Sequence, residues 1–179
     1  MRYLLTSTLI IFAIFSQSCD ERINPTQLVP VEVKPPTKME ILTANSWQYN
    51  EVQIKGGSVT KVAFSKIANP IIGINSDYAK TTVTYKVNGS FEKNVNGGIE
   101  KATWKFLNNE TQIETTSIDG KLKLLYSIDL LSKDNLNLTN VSTKVSFNDD
   151  PFWIGYVTNL GFPNTITEFT NVFKLIPMK

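Results

Sequence analysis

From Trp47 onward the chain alternates apolar and polar residues in short runs, each ended by residues that turn the backbone. Val83, Tyr85 and Val87 alternate with Thr82, Thr84 and Lys86, and Asn88-Gly89 follows. A period of two puts one set of side chains on one face of a strand, and Asn-Gly suits a tight type I′ hairpin. Phe91 and Val95 continue on one parity, and Asn96-Gly97-Gly98 predicts the next turn. Ala102, Trp104 and Phe106 alternate with Lys101, Thr103 and Lys105. Asn108-Asn109 turns into a strand over 111–118, and Asp119-Gly120 marks another hairpin. Leu122, Leu124, Tyr126, Ile128 and Leu130 form the longest apolar stripe; Leu136 and Leu138 open a further strand, and 141–147 shifts parity. Upstream, Trp47 and Tyr49 stand on one parity and Val52 and Ile54 on the other, which a bulge between them reconciles. Gly56-Gly57 predicts a turn, 59–64 a short strand, and 69–77, with Pro70 and Gly73, a loop.

Only one short helix is expected. Thr37-Lys38-Met39-Glu40 has the spacing of a capping box, with Thr37 as cap and Glu40 reaching back. Met39 and Leu42 lie three apart on one face, and Asn45 can end the segment in a left-handed conformation, so 38–44 reads as one or two helical turns. The fold class is therefore all-β. Consecutive hairpins, each with one apolar face, bury that face by closing into an antiparallel up-and-down barrel, which also removes exposed edges. Two packed sheets are the alternative, but a sandwich usually needs longer crossovers.

The N-terminal segment follows a different pattern. Arg2 precedes an apolar run from Leu4 to Phe15, and Ser16-Gln17-Ser18 leads to Cys19. A positive start, a short apolar run and small residues at the cut describe a secretory signal peptide over 1–18, too short to span a bilayer as a helix. Residues 19–36 read as a tether. Pro25, Pro30, Pro35 and Pro36 favour extended polyproline geometry, which at about 3.1 Å per residue reaches roughly 50 Å. An N-terminal arm packed as an edge strand through Val29, Val31 and Val33 is the other reading. The barrel domain is then 37–179.

Cys19, directly after the apolar run, resembles the lipobox of bacterial lipoproteins, in which the cysteine is freed and acylated; Ser16 stands where that motif usually has Leu. Asp20-Glu21 resembles the acidic signal that some Gram-negative groups use for export to the outer surface. The domain resembles the lipocalin-like family. Leu42-Thr43-Ala44-Asn45-Ser46-Trp47 is similar to its "L-x-G-x-W" opening, with Asn45 where glycine is common, and 84–91 to its aromatic-flanked hairpin. Thr103-Trp104-Lys105-Phe106 with 108–113 resembles the "G-x-W-x-L … I" strand pair, and 126–138 the "I-x-x-L … L-x-L" close. The resemblance covers Ile41 to Leu138. It implies a small antiparallel barrel, in some members with a cavity for a hydrophobic ligand, and no fixed catalytic residues.

Composition narrows the chemistry. Lysine and arginine number 18 and aspartate and glutamate 16, with no basic block, so no nucleic-acid partner is expected. Histidine is absent and Cys19 is the single cysteine, which excludes an intramolecular disulfide, the usual Cys/His zinc sites and Ser-His-Asp or Cys-His catalysis. No phosphate-binding loop follows a strand and opens a helix. No metal and no cofactor are expected. Asp149-Asp150, with Glu168, is the remaining candidate for a carboxylate hydrolase; Asn148-Asp149-Asp150-Pro151 also suits a plain turn, and that reading is preferred. The protein is expected not to be an enzyme.

Aromatic residues are the other candidates. Trp47, Tyr85, Phe91, Trp104, Phe106 and Tyr126 fall mostly on the inner face. They either line a cavity, with Trp47, Tyr85, Trp104 and Tyr126 as ligand-binding residues, or simply fill the barrel. Phe152-Trp153-Ile154-Gly155-Tyr156 is bulky on both parities and reads as a strand buried on both faces, or a docking patch. The expectation is an exported binding protein attached to the membrane through acylated Cys19, in the outer membrane facing the periplasm or the cell surface. It would hold a small apolar or amphipathic ligand. The alternative is a structural or adaptor lipoprotein with a filled barrel and protein partners on its loops or edge strands.

Overall fold

Thr37 caps the first helix as the sequence predicts. Its hydroxyl accepts from the Glu40 backbone N–H at 3.2 Å, and the Glu40 carboxylate accepts from the Thr37 N–H at 2.7 Å. This capping box starts α1 (Lys38–Thr43). The end of α1 differs from expectation. Asn45 is not left-handed; Ala44 closes the helix in the right-handed region and Ser46 already begins a strand. The reason is Trp47, whose indole N–H donates to the Leu42 carbonyl at 2.9 Å and satisfies a helix-end acceptor that a left-handed residue would otherwise serve.

The computed structural model describes residues 34–68, 78–143, 160–163 and 165–179. The chain divides into two units, Met1–Lys34 and Pro35–Lys179, and the strands all belong to the second. The signal segment, Cys19, the tether through Val33, the loop over 69–77, the Asn148–Pro151 turn with Asp149 and Asp150, and Phe152–Tyr156 lie outside the described residues.

The strands are β1 (Ser46–Gly56), β2 (Val59–Ser65), β3 (Thr81–Tyr85), β4 (Ser90–Val95), β5 (Gly98–Leu107), β6 (Gln112–Ser117), β7 (Lys123–Leu131), β8 (Leu136–Thr143) and β9 (Glu168–Pro177). A 3₁₀ turn, Tyr78–Lys80, precedes β3. All pairings are antiparallel, in the order β1-β3-β4-β5-β6-β7-β8-β9, and β9 returns to β1. This is a closed eight-stranded up-and-down barrel, the architecture implied by the lipocalin resemblance; the two-sheet sandwich is not formed. β2 is an added strand. β1 pairs with β3 only through Ser46–Gln48, and its far half, Glu51 to Gly56, pairs with β2.

Register explains how the apolar faces meet. Against β9, Tyr49 pairs with Leu175 and Glu51 with Lys174, so Asn50 is the expected bulge, and Trp47, Val52 and Ile54 are all fully buried. The Asn88-Gly89 turn is not type I′. Only Gly89 has positive φ, and the Gly89 N–H donates to the Lys86 carbonyl at 2.9 Å in a three-residue loop. A two-residue turn there would set Tyr85 against Glu92. The longer loop pairs Tyr85 with Phe91 and leaves Val87 exposed. The I′-type pair is instead Asn96-Gly97, both at positive φ between paired Val95 and Gly98.

Two further expectations are corrected by register. The β7 stripe does not run through Leu130. The ladder shifts between Ile128 and Leu130, so Leu131 opposes Leu136 and Leu130 turns toward solvent. Asp129, the extra residue, accepts a hydrogen bond from the Thr139 hydroxyl. β8 keeps its parity through Thr143, leaving Val141 exposed, and 144–147 lie outside the described residues. Asn140 and Ser142 follow Leu136 and Leu138 on the inner parity. The Asn140 side chain donates to the Leu125 carbonyl at 2.7 Å, and Asn171 donates to the Ser142 hydroxyl at 2.9 Å.

The two ends of the barrel differ. At one, α1 lies across the opening, touching β3 and β7, which stand on opposite sides of the barrel. Lys38 Nζ donates to the Glu110 carbonyl at 2.8 Å in the β5–β6 turn. Leu42, Trp47, Trp104, Ile113 and Leu136 pack into a solid core at this end. A second core lies where β1, β2 and β9 continue past β3, with Leu160 and Phe162 against Val52, Ile54 and Phe169. The space between these cores holds the candidate site.

Candidate functional site

Within the barrel, beyond the Trp47 core, lies a cavity of about 480 Å³. Its wall draws on β1, β3 to β9 and the 3₁₀ turn, because inner-facing residues of successive strands converge there. Six rings dominate it: Tyr49, Tyr78, Tyr85, Phe91, Tyr126 and Phe173. They form two connected groups. Tyr49 meets Tyr78 at 5.2 Å and Phe173 at 5.9 Å between ring centroids, both edge-on, and Phe173 meets Tyr126 at 6.1 Å. Tyr85 meets Phe91 at 5.1 Å and, edge-on, Trp104 at 5.3 Å. Such spacings are those at which aromatic pairs attract beyond simple burial.

The hydroxyls of this lining are electrically distinctive. Burial pushes the Tyr126 phenol up to about 12, with the neighbouring Tyr78 adding to the rise. Tyr85 and Tyr49 are pushed well up too, again chiefly by desolvation, then by Tyr126 and, for Tyr49, also by Tyr78, Tyr85 and Glu100. The phenols are thus neutral across the physiological range and within one another's electrostatic reach. Tyr85 is only 2% exposed. Among the described residues, the hydroxyls of Tyr49, Tyr85 and Tyr126 have no hydrogen-bond partner. Thr115, also buried, adds a hydroxyl from β6.

Charge is confined to one side. Lys93 and Glu100 oppose each other across the β4–β5 ladder and form an ion pair of 3.2 Å, with both side chains substantially exposed. Lys101 stands beside them. Leu122, Leu124, Val83, Leu138 and Leu175 complete the apolar wall.

Of the four aromatic candidates read from the sequence, Tyr85 and Tyr126 line this cavity. Trp47 and Trp104 lie in the solid core instead, each with its indole N–H committed at 2.9 Å, to the Leu42 and the Lys86 carbonyl respectively. Cys19, Asp149 and Asp150 are outside the described residues, and Glu168 is an exposed first residue of β9 paired with Thr143. Sequence reasoning did not single out Tyr49, Tyr78, Phe173 or the Lys93–Glu100 pair as site residues. Tyr49 shared Trp47's parity, which was a usable signal. Lys93 shared the parity of Phe91 and Val95, and its charge concealed that it faces inward. Among the described residues no cluster of three or more metal-ligating side chains occurs. No protein-family model matches the chain, and no curated protein matches it.

Proposed function

We propose that this is an exported, lipid-anchored binding protein that holds a small apolar or amphipathic ligand inside a lipocalin-like barrel. The observation that carries the reading is the 480 Å³ cavity. Ligand pockets run to about 300–1,000 Å³, whereas a close-packed interior leaves voids little larger than a water. The wall is mainly aromatic and aliphatic with a few convergent polar groups, the usual make-up of a ligand site. No catalytic role is assigned to any residue.

Titration of the full chain with the apolar fluorophore N-phenyl-1-naphthylamine tests this. Saturable binding is expected, and Ala102→Trp, which drives an indole into the cavity from β5, should weaken it by about tenfold or more. A flat titration would favour the adaptor reading, which draws support from the exposed Ile99, Ile118 and Leu122 near the β4–β5 and β6–β7 turns. The anchor rests on Arg2, the apolar run and the lone Cys19. A fatty-acid probe fed to cells should label the protein; equal labelling of Cys19→Ala would sink the assignment. Protease accessibility on intact cells separates a periplasmic from a surface location.

A further inference from the structure

The tyrosine hydroxyls define what the cavity selects. Tyr49, Tyr85 and Tyr126 reach one cavity from β1, β3 and β7, and among the described residues nothing in the protein accepts from or donates to their hydroxyls. Tyr85 is buried and Tyr49 and Tyr126 are half-buried; a ligand that covers their hydroxyls with hydrocarbon leaves them buried without a partner, which is costly. A ligand that presents an oxygen to them removes the cost. The rings then restrict the shape of the ligand's body, because edge-on pairs such as Tyr49–Tyr78 and Tyr49–Phe173 present faces and edges to a flat guest.

Charge excludes the other amphipathic choices. The deep wall of phenols carries no cation, so a carboxylate placed there would be buried without a counter-ion. At the rim Lys93 is already paired with Glu100. A fatty acid lying the other way, with its head at Lys101, would run its alkyl tail over the unpartnered hydroxyls. We propose that the cavity selects an uncharged, flat, ring-based ligand bearing a hydrogen-bond-accepting oxygen, of the ring-ketone or quinone class, over a plain hydrocarbon or a fatty acid. This rests on the binding reading above and specifies the chemistry of that same site.

The test compares three probes on the full chain by displacement of N-phenyl-1-naphthylamine: 9-fluorenone, fluorene, which has the same ring frame without the oxygen, and laurate. Fluorenone should bind about tenfold or more tighter than either. Tyr85→Phe and Tyr126→Phe should each narrow the gap between fluorenone and fluorene, weakening fluorenone and leaving fluorene as tight as before or tighter. Circular dichroism confirms that each variant is folded, and the wild-type comparison stands without them. Fluorene and fluorenone binding within twofold of each other, laurate binding best, or Phe variants that keep the full preference would overturn the selectivity while leaving the carrier reading intact. Failure of all three probes and the fluorophore to bind would overturn the carrier reading, and this inference with it.

Discussion

Trp47 ties α1 to the barrel, and Trp47→Phe measures that tie. The indole is fully buried, and its N–H donates to the Leu42 carbonyl at 2.9 Å. Phe keeps an aromatic ring and loses three heavy atoms. At about 0.8 kcal/mol per buried carbon the missing apolar atoms amount to roughly 2 kcal/mol. The lost hydrogen bond adds about 1 kcal/mol, and more if the buried Leu42 carbonyl finds no new donor. The expected loss is therefore about 3 kcal/mol, or on the order of 6–12 °C in Tm for a domain of this size. Trp104→Phe is the control. It removes a similar bond of 2.9 Å, but its acceptor, the Lys86 carbonyl, still receives the Gly89 N–H at 2.9 Å. Urea unfolding should rank Trp47→Phe as the costlier change, and hydrogen exchange should show lost protection concentrated in α1. A loss below about 1 kcal/mol, or a Trp104→Phe cost equal to or greater than that of Trp47→Phe, would refute the assignment of Trp47 as the clasp.

Three further outcomes follow from local geometry. Gly56→Ala should cost about 1–3 kcal/mol in urea unfolding, since its Cβ would stand 2.6 Å from the ring of Phe169, which is fully buried, and 2.9 Å from Ile166 Cδ1. Glu110→Gly should be neutral or stabilise by up to about 1 kcal/mol, because Glu110 sits at φ +59° and glycine relieves that strain at some entropic cost. The Lys38 bond to its backbone carbonyl survives the change. Alkali should destabilise the fold. Tyr126 titrates near 12 when folded and about 10 when unfolded, so above pH 10 the unfolded chain releases a proton that the native state retains, and stability falls by roughly 1.4 kcal/mol per pH unit for each such group. Tyr49 and Tyr85 act in the same direction. Phenolate absorbance at pH 11 should rise sharply on adding guanidinium; full ionisation with native circular dichroism would contradict the buried cluster.

Period-two alternation from Trp47 to Leu138 determined that the chain would form strands, and the short Gly- and Asn-bearing turns determined that neighbours in sequence would pair. The capping box and the β1 bulge were equally legible, because each depends on residues within four positions of one another. Turn type at Asn88-Gly89 was not. It was decided by the match of Tyr85 to Phe91 across the ladder, which outweighs the local preference of an Asn-Gly pair. The same holds for Leu131, which reaches the core only because Asp129 is squeezed out of register. The site shows the limit most clearly. Tyr85 and Trp104 alternate inward in the same way and share one core, yet only Tyr85 also borders this cavity. Alternation reports which face a side chain takes. Whether anything fills the space in front of it depends on how α1 at one end, and Leu160 and Phe162 against β1 and β9, pack on the strands, and that arrangement exists only once the strands have closed.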